Sequence, residues 1–418
     1  MDFLFNYVYQ FLKRYLGSSR ALPAKSKTLI WMIGLYDFNF ALSSVFINIF
    51  LFRKGDDWTA VELYNMVMYA AIMVAFWMGG HIAKKVNHLF PYQMGFAFNA
   101  MVFLLVLVLR EDTHSHPCLL GLFSGLGIGF YYLGQHSLTM DLTEPKDRDY
   151  VFSLSLFLSS ILRILGPALA GWVILAFKGG DSNSSLGYYI TFAVTLLLYL
   201  GLIYKSFKLE TPPQPKGGFE FWKVLTFREN RDWNRQMSAQ FVLGLRNGAF
   251  WFVIGVLVYQ VSKNEGIVGN YSMFTNFMAV LTAYGLTRWA EAKNRRKGLL
   301  ISSLITWSAC AFLAVKINYF SLLVYAVLTA VGVTWFMVTF GVFAFEAVDG
   351  AREAKKYKLE YLAVREVPLW AGRSIGLGGM MVSQHYLGEA GLRLSLLVLG
   401  FMHMGVFLFL PKAKNTEG

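Results

Sequence analysis

The sequence predicts an all-α polytopic membrane protein, twelve transmembrane helices in two pseudo-symmetric six-helix bundles, and three observations carry the prediction. The 418 residues are 56% hydrophobic and 17% aromatic but only 15% charged, and a mean hydropathy of +0.46 does not describe a soluble globular protein. Twelve apolar stretches reach the roughly 20 residues a membrane helix needs, at about 28–52, 58–80, 90–109, 118–141, 150–177, 186–206, 236–262, 268–291, 298–316, 319–346, 360–386 and 391–411. The chain also repeats itself. A shift of 210 lays Gly34-Leu35-Tyr36-Asp37 on Gly244-Leu245-Arg246-Asn247 and Arg163-Ile164-Leu165-Gly166 on Arg373-Ser374-Ile375-Gly376, and a shift of 205 lays Gly127 on Gly332 and Asp141 on Glu346. Two copies of a six-helix unit are the simplest reading, and parallel repeats with a site between them are one way to build a secondary transporter.

Residues 1–27 come first, with Phe3, Leu4, Tyr7, Val8, Phe11, Leu12, Tyr15 and Leu16 at helical spacing and Lys13, Arg14 and Arg20 behind them. A signal peptide has the reverse charge order and a small-residue cleavage site, so the segment reads as an interfacial amphipathic helix. Residues 28–207 form the first bundle. The linker, 208–235, contains Thr211-Pro212-Pro213-Gln214-Pro215-Lys216-Gly217-Gly218 and then an aromatic run expected to form a cytoplasmic surface helix. Residues 236–411 form the second bundle and 412–418 a tail.

Orientation follows from the basic residues. Of the 38 Lys and Arg, 27 fall on the face holding both termini and seven on the other, which places both termini in the cytoplasm. The net charge of +13 is then a topology signal with affinity for anionic lipid headgroups, and no exposed domain supports nucleic-acid binding. Cys118 and Cys310 lie in different halves and define no disulfide or metal framework. No phosphate-binding loop, nucleophile–base pair, metal cluster or cofactor motif can be assembled, so neither an enzyme nor a cofactor is expected. His114 and His116 lack a third ligand.

Two local motifs now add to twelve spans, a basic central loop and two parallel halves. In span five, Gly166-Pro167-Ala168-Leu169-Ala170-Gly171 looks like the Gly-Pro motif of the major facilitator superfamily, with Leu162 and Ala170 where further glycines are usual. After span two, Gly80-His81-Ile82-Ala83-Lys84-Lys85-Val86-Asn87 occupies the place of that family's loop motif, with Lys84 in place of its acid and Asn87 in place of its later Gly. The chain is similar to that family over nearly its whole length, as a divergent bacterial-type member. The resemblance implies alternating access, a monomer, a cavity lined by spans one, four, seven and ten, and spans five and eleven at the junction of the halves. The Gly-Pro motif is associated with exporters and antiporters, which favours efflux.

Physically, Gly166 and Gly171 let span five approach a neighbour and Pro167 lets it bend; tight packing alone is the plainer reading. The loop basics Lys84 and Lys85 are expected beside Asp141 and Glu144, near Arg148, and Arg295 and Arg296 beside Glu346, as a cytoplasmic gate of exchangeable pairs. Charge inside the spans is the stronger signal, since an ionisable group in hydrocarbon is costly unless paired or facing water. Asp37 lies roughly 13 Å and Arg163 about 20 Å into their spans at helical rise. Arg246 lies deep in span seven and Arg373 is the counterpart of Arg163 in the repeat, and all four are expected to converge. Asp37 is the natural proton carrier, because its protonation responds to a substrate or arginine that moves; a permanent Asp37–Arg163 pair is the alternative. Three arginines against one acid favour an anionic ligand, held bidentately. Asn39 and Asn247 lie beside these charges, and Tyr36, Tyr131, Tyr132, Trp335 and Phe336 are expected as cavity walls for an amphiphilic ligand. His136 is a second titrating candidate or a packing residue.

The expectation is a proton-coupled secondary transporter of an organic anion in a bacterial inner membrane, its partners being protons, membrane lipids and the substrate. A lipid or lipid-linked precursor flippase, marked by a lateral opening between spans five and eight or two and eleven, is one alternative. A transporter-like scaffold or sensor with a closed centre is another.

Overall fold

The computed structural model describes residues 22–55, 57–143, 148–178, 184–209, 211, 217–227, 231–289, 295–351, 353 and 356–409. The amphipathic segment at 1–20 and the tail lie outside them. Six long helices make the first half: α1 (Ala24–Gly55), α2 (Trp58–Lys85), α3 (Leu89–Leu109), α4 (Pro117–Asp141), α5 (Arg148–Ala176) and α6 (Leu186–Ser206). A short α7 (Phe221–Leu225) sits in the linker. The second half holds α8 (Arg231–Phe250), α9 (Val253–Ser262), α10 (Glu265–Trp289), α11 (Arg295–Val315), α12 (Tyr319–Asp349), α13 (Lys358–Val364), α14 (Glu366–Leu387) and α15 (Glu389–Gly405).

Helix ends follow local chemistry. The Asp57 side chain caps α2 by accepting from the Thr59 amide at 3.1 Å, and Asn318 and Ser321 form a reciprocal capping box on α12. Span seven is broken at Trp251 and Phe252 into α8 and α9. Span eleven begins later than the sequence suggests, because the helix stops at Val364 and restarts at Glu366. Pro368 explains the break: in one continuous helix its ring would strike the Val364 carbonyl and leave it without a donor.

Among the described residues, ten helices, with α8 and α9 taken together, are long and apolar enough to cross a membrane. The other two spans of the twelve-helix plan are α10 and α14, of 25 and 22 residues, which have the length but carry Asn270, Thr275 and Asn276, and Glu366, Arg373 and Gln384. Both run along the seam between the halves, α10 against α5 and α14 against α2. Polar residues are tolerated where a membrane helix faces protein.

The repeat is visible in the packing. Spans one and five, two and four, three and four, and three and six are paired in the first half, and seven and eleven, eight and ten, nine and ten, and nine and twelve in the second. Small residues set the tightest of these contacts. A Cβ on Gly376 would lie 2.0 Å from the Leu245 carbonyl oxygen, and one on Gly248 2.2 Å from that of Arg373, so α8 and α14 touch backbone to backbone. Gly376→Ala is expected to force them apart at a cost of about 1–3 kcal/mol, read as a lower melting temperature of the purified protein in detergent.

The start of α1 and the ends of α2 and α4 share one face of the bundle, as the Ser26 hydroxyl bond to the Leu142 carbonyl at 2.6 Å reports. This is the terminal face. The α1–α2, α5–α6 and α14–α15 turns lie on the opposite, distal face.

Candidate functional site

Gly166 brings α5 onto α1, with Ala41 and the Leu42 backbone 3.0 and 3.1 Å from where its Cβ would be. One turn earlier on α5, Arg163 donates to Asp37 Oδ1 through Nη2 at 2.5 Å and Nε at 3.1 Å. The Asp37 side chain is 8% exposed and that of Arg163 45%, so the carboxylate is enclosed while the guanidinium also faces open space. From the other half, Asn276 of α10 donates to the Arg163 carbonyl at 2.9 Å. Tyr132 of α4 stands within electrostatic reach of Asp37, Arg163 and Arg373. Arg373 of α14 lies 5.3 Å over the ring of Tyr69, whose hydroxyl donates to the Gly248 carbonyl at 2.9 Å. No acid pairs with Arg373 among the described residues. The structure thus gathers Asp37, Arg163, Arg373, Tyr132 and Tyr69 at the seam, on α1, α2, α4, α5 and α14.

The other expected wall residues turn into their own halves. Tyr36 is fully buried and stacks on Tyr131, ring centroids 3.3 Å apart. Asn39 donates to the Thr195 carbonyl at 3.1 Å, toward α6. Arg246 does not join the convergence: it lies 4.5 Å over the ring of Phe250, beside Cys310, Tyr325 and His403 inside the second half. Phe336 stacks on His403 at 4.1 Å, and Trp335 packs against Gly298. Asn247 is half-buried next to Gly248. His136 sits 6.4 Å from the Tyr132 ring and faces Arg365. In the packing motif, Gly166 serves α1, whereas Pro167 and Gly171 serve α10, with Cβ positions on Gly269 and Gly171 2.4 Å from the Pro167 oxygen and 2.6 Å from the Glu265 oxygen.

The gate pairs differ from expectation on one side. Asp141 bonds His88 Nδ1 at 2.6 Å rather than Lys84 or Lys85, because His88 opens α3 directly under the end of α4. Lys84 instead reaches across to the buried Glu360 of α13, while Lys85 points to solvent. Glu144 and the Arg148 side chain lie outside the described residues. Arg295 does pair with Glu346, at 3.0 Å, and Arg296 lies 4.5 Å over the Phe407 ring. The linker joins this terminal tie: the Glu220 amide donates to Glu360 at 3.3 Å, and Phe219 covers Gly80, where a Cβ would sit 2.1 Å from its ring. Lys223 donates to the Tyr357 hydroxyl at 2.9 Å, which holds that phenol below its ordinary pKa and the ammonium above its own.

No family model matches the chain. It is 30% identical over 400 residues to the uncharacterized protein YqgE of Bacillus subtilis (strain 168), covering 94% of this chain and 92% of that one. An uncharacterized protein in the sodM 3' region of Geobacillus stearothermophilus is 30% identical over 151 residues, 36% of this chain and 71% of the other. Among solved structures, the human organic anion transporter MFSD10 (TETRAN) superposes with a TM-score of 0.64 at 13% identity, over 93% of this chain and all of its own length. The major facilitator superfamily transporter FucP in its outward conformation gives 0.61 at 15% identity, over 91% and 97%. A variant of FucP, the E. coli fucose:proton symporter, gives 0.59 at 16% identity over the same shares. The chain belongs to one family with YqgE and has the major facilitator fold.

Two cavities border the seam of this major facilitator fold. One of about 300 Å³ lies among α1, α5, the α8–α9 break and α10, with Arg163, Asn276, Phe40 and Trp251 on its walls. The other, of about 540 Å³, lies at the distal face between the α1–α2 turn and α9, α14 and α15. A second tie between the halves flanks them: Glu265, fully buried at the tip of α10, takes Lys178 at 3.1 Å, Arg53 at 3.8 Å and the Tyr188 hydroxyl at 3.2 Å. Glu265, Glu360, Tyr69 and His88 were not singled out by sequence; acids at helix tips look like ordinary interface residues until their partners are placed.

Proposed function

We propose that the chain is a secondary active transporter that moves an amphiphilic organic anion by alternating access and couples it to protons through Asp37. The observation that carries this is the seam cluster, where two guanidinium groups and one carboxylate lie around Tyr132: Asp37 neutralises Arg163, and no acid pairs with Arg373 among the described residues. A bound anion supplies that missing partner, and Arg163 is placed to exchange Asp37 for it. Asp37 released from Arg163 takes a proton. The organic anion transporter and the fucose:proton symporter that share the fold are consistent with both halves of this reading.

The bias of basic residues supports a cytoplasmic terminal face, the short loops fit a bacterial inner membrane, and a monomer is the usual form of proteins with this fold. With the Lys84–Glu360 tie at that face and the 540 Å³ cavity at the other, the structure reads as outward-facing. Export agrees with the Gly-Pro motif. A lipid or lipid-linked substrate is the second reading, favoured by the 300 Å³ cavity at the α5–α10 seam, where Arg163 stands beside Phe40 and Trp251.

Purified protein in liposomes, given organic anions, phosphorylated compounds and lipids in turn, tests both. Arg373→Gln is expected to remove a charge-assisted bond worth about 1.5–3 kcal/mol and weaken the apparent affinity about 10- to 100-fold. Uptake indifferent to Arg373 would sink the anion reading, and lipid redistribution without anion flux would replace it with the second.

A further inference from the structure

The distal cavity contains a carboxylate that the reading above does not use. Glu62, on the second turn of α2, is 4% exposed, lines the 540 Å³ cavity, and has Oε1 buried without a hydrogen-bond partner. No cation pairs with it among the described residues. Gln384 of α14, on the wall belonging to the other half, has its Nε2 buried and equally unpartnered. Buried polar atoms are nearly always satisfied, so two orphans lining one cavity point to something that binds there.

We propose that Glu62 is a proton-binding site reached from the distal face, separate from the Asp37 cluster. The remaining charges nearby are already engaged. Asp57, in the turn above, accepts from the Thr59 amide at 3.1 Å and hydroxyl at 3.0 Å. Glu389 of α15 holds Arg393 at 2.6 Å. On α1, Lys54 is paired with Glu111 and Arg53 with Glu265. His385 lines the same cavity from α14, while His114 and His116 lie against the α1–α2 turn in a different pocket. Arg373 sits deeper, at Tyr69, two turns further along α2. Glu62 therefore faces acids and amides, with no cation to balance it. A metal ion would need several converging oxygen ligands; the other acids of the cavity, Asp57 and Glu389, are held by Thr59 and Arg393, and among the described residues no three acids, histidines or cysteines converge there. A lone enclosed carboxylate is suited to a proton, and neutral Glu62 removes the main cost of closing the cavity over it. Only the direction of uptake, from outside the cell, rests on the transporter reading.

Infrared spectra of the purified full chain in lipid, titrated with acid in the absence of any substrate, test the site. A protonated-carboxyl band that forms in the wild type and in Asp37→Asn, and is missing in Glu62→Gln, is expected. Gln384→Ala, which leaves the carboxyl in place, is expected to move the midpoint of that band. The band persisting in Glu62→Gln overturns the proposal, as does its replacement by a sodium-dependent change at fixed pH. If Glu62→Gln does not fold, Glu62→Asp must shift the midpoint, and an unshifted band overturns it equally. Because no transport is measured, loss of anion flux with this band intact defeats the transporter reading alone.

Discussion

Asparagine in place of Asp37 is expected to stop substrate-dependent proton movement and to loosen the contact between α1 and α5. The stability cost is set by what is left behind. Arg163 without its carboxylate is 45% exposed, so it is not left enclosed and the loss is about 1 kcal/mol. Arg163→Gln leaves Asp37, 8% exposed, without its cation and is expected to cost about 3–5 kcal/mol. The double variant removes both charges and should recover most of that stability, since the two sites share one interaction, yet it should carry no proton. Melting temperatures in detergent and proton flux in liposomes read the two quantities separately. A double variant that still couples protons would remove Asp37 from the mechanism and leave the pair as a structural clamp.

Glu265→Ala is expected to cost as much stability as Arg163→Gln. Its carboxylate is fully buried, and its two cations, Arg53 and Lys178, are only 10% and 17% exposed. Deleting it leaves both without their shared anion and strands the Tyr188 hydroxyl, for about 3–5 kcal/mol. Glu265→Gln, which still accepts from Tyr188, should lose less. The comparison is made on melting temperature, where equal losses for the two variants would show that the charge contributes nothing.

The fold was legible because each level of the sequence agreed with the next: span length, polarity of the loops and the repeat all required two six-helix bundles. The Asp37–Arg163 pair was legible as well, since depths of roughly 13 and about 20 Å at helical rise leave a gap that a long arginine side chain can bridge. Rotation about a helix axis was not legible. The 210-residue shift pairs Arg246 with Tyr36 and Asn247 with Asp37. The structure places Tyr36 and Arg246 alike inside their own halves, so the repeat already implied that Arg246 follows the tyrosine and not the acid. Phe336 was misplaced for a related reason, as an aromatic next to a small-residue face packs either way until the neighbouring helix is set. The partner of Lys84 depended on α13, a helix created by Pro368, and nothing in the loop motif announces it.

The polar composition of α10 and α14 also governs how the chain enters the bilayer. A single Arg near the middle of a span costs about 2.5–3.5 kcal/mol at insertion, and α14 carries Arg373 together with Glu366, Ser374, Gln384 and several glycines. Neither helix is among the ten that are long and apolar enough by composition to cross a membrane. Each becomes comfortable only after α5 or α2, made far earlier, is present to cover its polar side. Insertion of α10 and α14 is therefore expected to depend on the first bundle, so that a defect in α2 or α5 lowers the amount of full-length protein in the membrane before it lowers the melting temperature of what is made.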